Sequence, residues 1–187
     1  QFDTFYHEHP RTYSKKSFEY IASSLGFQVS DVQFVSRYGG NIRVFIGSDF
    51  FNDIKVDEND FKGQFSKMAV DIEQWKLDMK SKIEDLVKKN GPLRAKAFPG
   101  RAAILIKLLN LNESHLSVVY EIKGSIKVGH YVPGTRITIE PESNLYSLED
   151  QSQPILNLAW HLPQEVRENL KNNGYQGEVI DLKELKE

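Results

Sequence analysis

Tyr6, His7, Glu8 and His9 stand in four consecutive positions of the stretch TFYHEHPRTYS, Thr4 to Ser14. Histidine titrates near about 6.5, so it exchanges a proton at neutral pH with little tuning. A neighbouring carboxylate can orient its ring or raise its basicity, and a phenol can donate to a developing oxyanion. Metal binding is the competing chemistry. His7 and His9 share a face only if the segment is extended, Glu8 then points away, and a third protein ligand is needed. His115, His130 and His161 are scattered along the chain and offer no partner motif. A plain solvated turn uses the same residue types, and spacing alone leaves proton transfer and solvated turn both open.

A second candidate is KAFPGRAAI, Lys96 to Ile104. A strand that turns through Pro99-Gly100 into a helix exposes the N–H groups of Gly100, Arg101 and Ala102, and Arg101 adds positive charge, which suits a phosphate. The dinucleotide fingerprint is absent, because Ala95 and Ala97 stand where glycines belong. An ordinary strand-to-helix turn with a surface arginine is the alternative. In GHYVPGTRI, Pro133-Gly134 fits a type II turn ahead of a strand.

The elements that position these groups can be read from periodicity. Ser14 can cap a helix to Leu25, with Phe18, Ile21, Ala22 and Leu25 on one face and Gly26 at its stop. FQVSDVQFVS and NIRVFIG follow as two strands, with Gly39-Gly40 in the turn of a hairpin. Such a helix and hairpin bury little by themselves. Residues 49–60 are acidic and read as a connection. From Phe61 to Lys89 the apolar positions Phe61, Phe65, Met68, Ile72, Trp75, Met79, Ile83 and Leu86 step by three and four, the stripe of a long helix that Asn90-Gly91-Pro92 ends. Strand and helix then alternate: LRAKAF, the helix GRAAILIKLLNL, LSVVYEI, RITIEP, PILNLAW, the helix PQEVRENLKNNG and GEVIDL. That alternation predicts an α/β fold, a Rossmann-like parallel sheet with flanking helices.

Composition narrows the functional classes. The 187 residues suffice for one large or two small domains, and a net charge of -2 creates no field that gathers nucleic acid. No cysteine is present, so disulfides and thiolate metal sites are excluded, in keeping with a cytoplasmic location. The most apolar run, Ala102 to Leu111, is too short for a membrane span and carries Lys107, so a core helix is expected and no membrane partner. No signal peptide is evident. The chain opens on Gln1 without an initiator methionine, as expected of a segment cut from a longer protein.

In order, FYHEHPRTYS, SRYGGNIRVF, KAFPGRAAILI, VGHYVPGTRITI and LNLAWHLPQEV resemble the C-terminal part of the sugar C-methyltransferases, from about Phe5 to the chain end. The resemblance implies transfer of a methyl group from S-adenosylmethionine to carbon 3 of a nucleotide-linked 4-keto deoxysugar. It implies that residues 1–48 are the end of the methyltransferase catalytic domain, a helix–hairpin tail carrying the Tyr-His-Glu-His motif. Residues 49–90 are then the connection and long linking helix, and 91–187 the Rossmann-like C-terminal domain. S-adenosylmethionine would be bound mainly by a domain absent from this chain, and zinc by a missing N-terminal region, with none here. The partners would be the nucleotide-diphosphate sugar and those missing domains.

The family's Tyr-x-Glu-His pattern falls on Tyr6, Glu8 and His9. By that resemblance His9 is the general base, Glu8 and Tyr6 support it, and His7 holds the loop or substrate. Gly100, Arg101, Ala102, Trp160 and His161 are the expected substrate contacts. Relatives carry a glycine-tyrosine-glycine-alanine run ending in lysine where this chain has AKAFPGR. They place an acidic residue at Ile122, beside Glu121, and leucine at Pro10. A non-catalytic nucleotide-sugar-binding or interaction module is the alternative function. An architectural domain that dimerises through the Phe61–Lys89 stripe is a third reading.

Overall fold

Ser14 starts the first helix, α1, which spans Lys15–Ser24 in the computed structural model. The structure describes residues 2–36, 40–47, 58 and 60–183. They form two compact units, one of His7–Val70 and one of Phe2–Tyr6 with the chain from Asp71 onward.

In the first unit, the Ser14 hydroxyl accepts the Ser17 N–H and Ser17 Oγ accepts the Ser14 N–H, both at 3.3 Å, a reciprocal cap. The Glu58 carboxylate accepts the N–H groups of Lys15 and Lys16 at 2.7 and 3.1 Å, placing negative charge at the positive end of the helix. Gly26 ends it with φ 75°. Strands β1 (Gln28–Val35) and β2 (Asn41–Gly47) pair antiparallel. Gly39 of the expected turn lies outside the described residues, as does most of the 49–60 connection; Gly40 adopts φ 107°. Ala22 and Val32 are buried, whereas Tyr20, Phe27, Phe34, Phe45 and Ile46 are exposed. The expectation that helix and hairpin bury little is met.

Helix α2 runs as one element over Phe61–Asn90. Its stripe divides. Phe61 and Phe65 are exposed, while Met79 and Ile83 are buried in a core cluster against which Trp75, Leu86 and Val87 pack. The Trp75 indole N–H donates to the Leu182 carbonyl at 3.2 Å.

The second unit is built on five parallel strands: β3 (Leu93–Lys96), β4 (Leu116–Glu121), β5 (Thr138–Pro141), β6 (Ile155–Asn157) and β7 (Val179–Asp181). Their order is β5-β4-β3-β6-β7, every pair parallel. The chain enters at the centre, steps outward twice, then returns to the other side of β3. This is the Rossmann-like arrangement expected. Both faces are covered, as a parallel sheet requires. On one lie α2 and α3 (Ala102–Leu108), with Ala95, Leu105, Ile106, Val119 and Leu156 in a single cluster. On the other lie α4 (Glu142–Tyr146) and α5 (Pro163–Asn172), with Val118, Tyr120, Leu145, Ile155, Val166 and Leu170. Val118, Val119 and Tyr120 alternate between the two clusters, the two-residue period of a strand buried on both sides.

Two expectations need adjusting. The five-residue helix α4 was not legible in the sequence. The PILNLAW strand is shorter than its apolar run because Asn157 Oδ1 turns back to accept the Ala159 N–H at 2.9 Å, which ends the strand and leaves Trp160 in the following loop. No helix among the described residues is long and apolar enough to cross a membrane.

The split of the α2 stripe has a measurable consequence. Ile83→Ala removes a side chain with 0% exposure and is expected to cost about 2–5 kcal/mol, whereas Phe65→Ala, at a site 55% exposed, should change stability by less than about 0.5 kcal/mol. Urea unfolding followed by tryptophan fluorescence checks both.

Candidate functional site

The returns of the chain open one place on the parallel sheet where loops diverge: the carboxyl ends of β3 and β6, the topological switch point. The turn Ala97–Arg101 leaves β3 towards α3, and the loop Leu158–Leu162 leaves β6 towards α5. The Lys96 carbonyl holds the two together by accepting the Leu158 N–H at 3.0 Å.

Polar side chains are buried at these strand ends. Glu121, closing β4, accepts the Phe98 N–H at 2.6 Å and the Ile122 N–H at 3.2 Å, so its carboxylate braces the turn after β3. Lys127 reaches the same turn and donates to the Phe98 carbonyl. Lys96, 3% exposed, is paired with Glu142 at 2.7 Å; Tyr146 OH donates to Asn169 at 2.7 Å and to Glu142 at 3.4 Å. Burial, reinforced by the Glu142 charge, pushes the Tyr146 phenol well above its ordinary value. Asn157 donates to Asp181 at 2.7 Å, and Arg167 completes that tie at 2.6 Å.

The most enclosed charged side chain among the described residues is Asp3, with 0% exposure, in a short 3-10 turn, Phe2–Thr4. Its Oδ2 accepts from Arg101 Nε at 3.0 Å and from Trp160 Nε1 at 2.8 Å, and its Oδ1 faces Lys183 Nζ at 3.4 Å. The Arg101 guanidinium lies 4.8 Å from the Trp160 ring centroid and Lys183 Nζ 4.5 Å, so the indole carries two cations near its face. Burial draws the Lys183 ammonium below its ordinary value, while Asp3 pulls it back. His161 follows Trp160, edge-on at 5.7 Å between ring centroids. Burial holds its imidazole below the usual histidine range, and the Arg101 charge adds to that.

Among the expected site residues, Gly100, Arg101, Ala102, Trp160 and His161 therefore lie on the two loops of one switch point. Arg101 and Trp160 are mostly enclosed and held by Asp3 rather than facing outward. The Ala102 N–H is taken by the Pro99 carbonyl at 2.8 Å. Tyr6 is half-buried and belongs to the same unit as the switch point, whereas His7, Glu8 and His9 are exposed and belong to the first unit. The motif is not extended: Tyr6 to Glu8 form a turn, and the Tyr6 N–H donates to the Thr4 carbonyl at 3.1 Å. No group of three or more metal-ligating side chains converges among the described residues. Asp3 and Lys183 are the members of this cluster that the sequence did not disclose.

A parallel sheet in this order, with helices on both faces, defines a Rossmann-like α/β domain. Residues 52–180 match the C-methyltransferase C-terminal domain family, and the chain belongs to that family. Tyr6 to His9 and the β1–β2 hairpin lie ahead of the matched residues. No curated protein matches the chain.

Two measurements probe this site. Ala97 adopts φ 63°, a left-handed conformation that suits glycine. Ala97→Gly is therefore expected to raise stability by about 1 kcal/mol in urea unfolding. The His161 imidazole has a folded pKa below its unfolded value, so the unfolded chain binds the proton first. Its contribution is intact above about pH 6.5 and is lost as pH falls towards the folded value. His161→Gln should flatten the stability profile between about pH 7 and 5.5 relative to the unmodified protein.

Proposed function

We propose that this chain is the C-terminal part of an S-adenosylmethionine-dependent C-methyltransferase acting on a nucleotide-linked 4-keto deoxysugar, with His9 as the base. Membership of the C-methyltransferase C-terminal domain family is the observation that carries the reading. In this reading S-adenosylmethionine, held by a domain outside this chain, supplies the methyl group.

The residues of this chain divide the remaining work. His9 takes the proton from the carbon beside the ketone, Glu8 orients the imidazole, and Tyr6 donates to the oxygen on which enolate charge develops. His7 supports the substrate from the same turn. A ketone α-proton is too weakly acidic for a neutral base unless the oxyanion is stabilised, so the phenol and the imidazole act together.

The nucleotide-diphosphate end belongs to the switch point. Arg101 and Lys183 face one carboxylate, Asp3, which leaves a net positive charge beside the turn Gly100 to Ala102. That potential suits a diphosphate. Trp160 gives the loop a rigid floor, and His161, kept neutral by burial, can exchange hydrogen bonds with sugar hydroxyls. Holding the substrate by its nucleotide orients its reactive carbon, and positioning of this kind lowers barriers by about 7–11 kcal/mol in favourable cases.

His9→Asn in the full-length enzyme is expected to reduce methyl transfer by about 10²–10⁴-fold while nucleotide-sugar binding persists. Solvent deuterium exchange at carbon 3, followed by mass spectrometry without methyl donor, isolates the proton-transfer step. Undiminished exchange in the variant would remove His9 from the mechanism.

A further inference from the structure

We propose that Asp3 is a positioning residue that fixes the start of the Tyr6–His9 motif to the switch-point loops through Arg101 and Trp160, and to the segment after β7 through Lys183. The catalytic part of the inference rests on the reading of His9 as base; the anchoring part does not.

A carboxylate with 0% exposure is costly to bury unless its charge and lone pairs are answered. Asp3 meets that condition with an arginine, an indole N–H and an ammonium, each on a different segment of the Rossmann-like unit. Removing one side of such a buried pair strands the other charge, so the contact is held firmly. Its neighbour Phe2 packs against the same core, with its ring 5.2 Å from Trp75 and 4.5 Å from Lys183 Nζ. The Phe5 N–H donates back to the Phe2 carbonyl at 3.3 Å, and the Tyr6 N–H to Thr4. Two backbone hydrogen bonds thus tie Phe5 and Tyr6 to the short turn that carries the anchored carboxylate.

Asp3 touches no reacting atom. Its role is to set where the chain starts towards Tyr6, the motif's first residue and a member of the same compact unit. The loops it grips are those of the switch point, so the position of the motif's first residue is referred to the end of the sheet where ligands bind in such folds.

The test uses Asp3→Asn, which keeps the shape and removes the charge, with Trp160→Phe as a second variant that removes the indole N–H and trims the ring while leaving the Arg101 and Lys183 charges in place. Amide hydrogen exchange on this chain is expected to speed up at Phe5 and Tyr6 by at least tenfold, while β3 and β4 amides keep their protection. In the full-length enzyme, with a thymidine-diphosphate-linked 4-keto-6-deoxyhexose as probe, kcat should fall at least tenfold while KM moves less than about threefold. Unchanged exchange at Phe5 and Tyr6 in both variants overturns the anchor. Faster exchange with an unchanged kcat overturns the positioning role. If Asp3→Asn loses turnover but His9→Asn keeps it, the assignment of the base fails and the anchor stands. If the unmodified enzyme ignores the probe, the substrate reading fails, and amide exchange still decides the anchor.

Discussion

A sheet of parallel strands offers no face that can be left in water, and much of this chain's organisation follows from that constraint. Covering the first face of β3–β7 takes the second half of α2 together with α3; covering the other takes α4 and α5. The stripe on α2 is continuous in sequence but useful to this core only from about Trp75, where the sheet begins to lie beneath it. Entry of the chain at the central strand then dictates a return across β3, and that return creates the crevice.

With both faces sealed by apolar side chains, polar function is confined to the strand ends. Lys96, Glu121 and Asn157 close β3, β4 and β6, and each is buried. They are spent on structure: an ion pair with Glu142, a brace for the turn at Phe98, and the termination of β6. What they leave to chemistry is a shaped rim whose loops cannot wander. The acidic side chain at 121 serves the backbone beside it, accepting the Phe98 and Ile122 N–H groups.

Much of this was legible in the residues because the signals were local. Ser14 and Ser17 mark a helix start three residues apart, Gly26 and Gly174 mark stops at φ 75° and 85°, and the β-branched pair Val118-Val119 in β4 announces a buried strand. Helix α4 escaped because five residues after Pro141 carry too few turns to show a period. Asp3 escaped for a different reason: its partners lie 98, 157 and 180 residues away, and a lone aspartate between Phe2 and Thr4 gives no pattern that points so far. The turn at Tyr6 to Glu8 was one of the alternatives the residues left open, since nothing in the spacing separates it from an extended segment.

Enclosure also decides how the parts respond to ionic strength. The helix-surface pairs Lys76–Glu73 and Lys88–Asp85 stand in water, within reach of mobile ions, and fade as salt rises. The carboxylate of Asp3 has no contact with solvent, so counterions cannot compete for it. The positive potential left at the rim is screened like any surface field, with a Debye length of about 8 Å at physiological salt. In the proposed reading, capture of a charged ligand and retention of the motif's first residues are therefore governed by different physics: one varies with the surrounding electrolyte, the other far less.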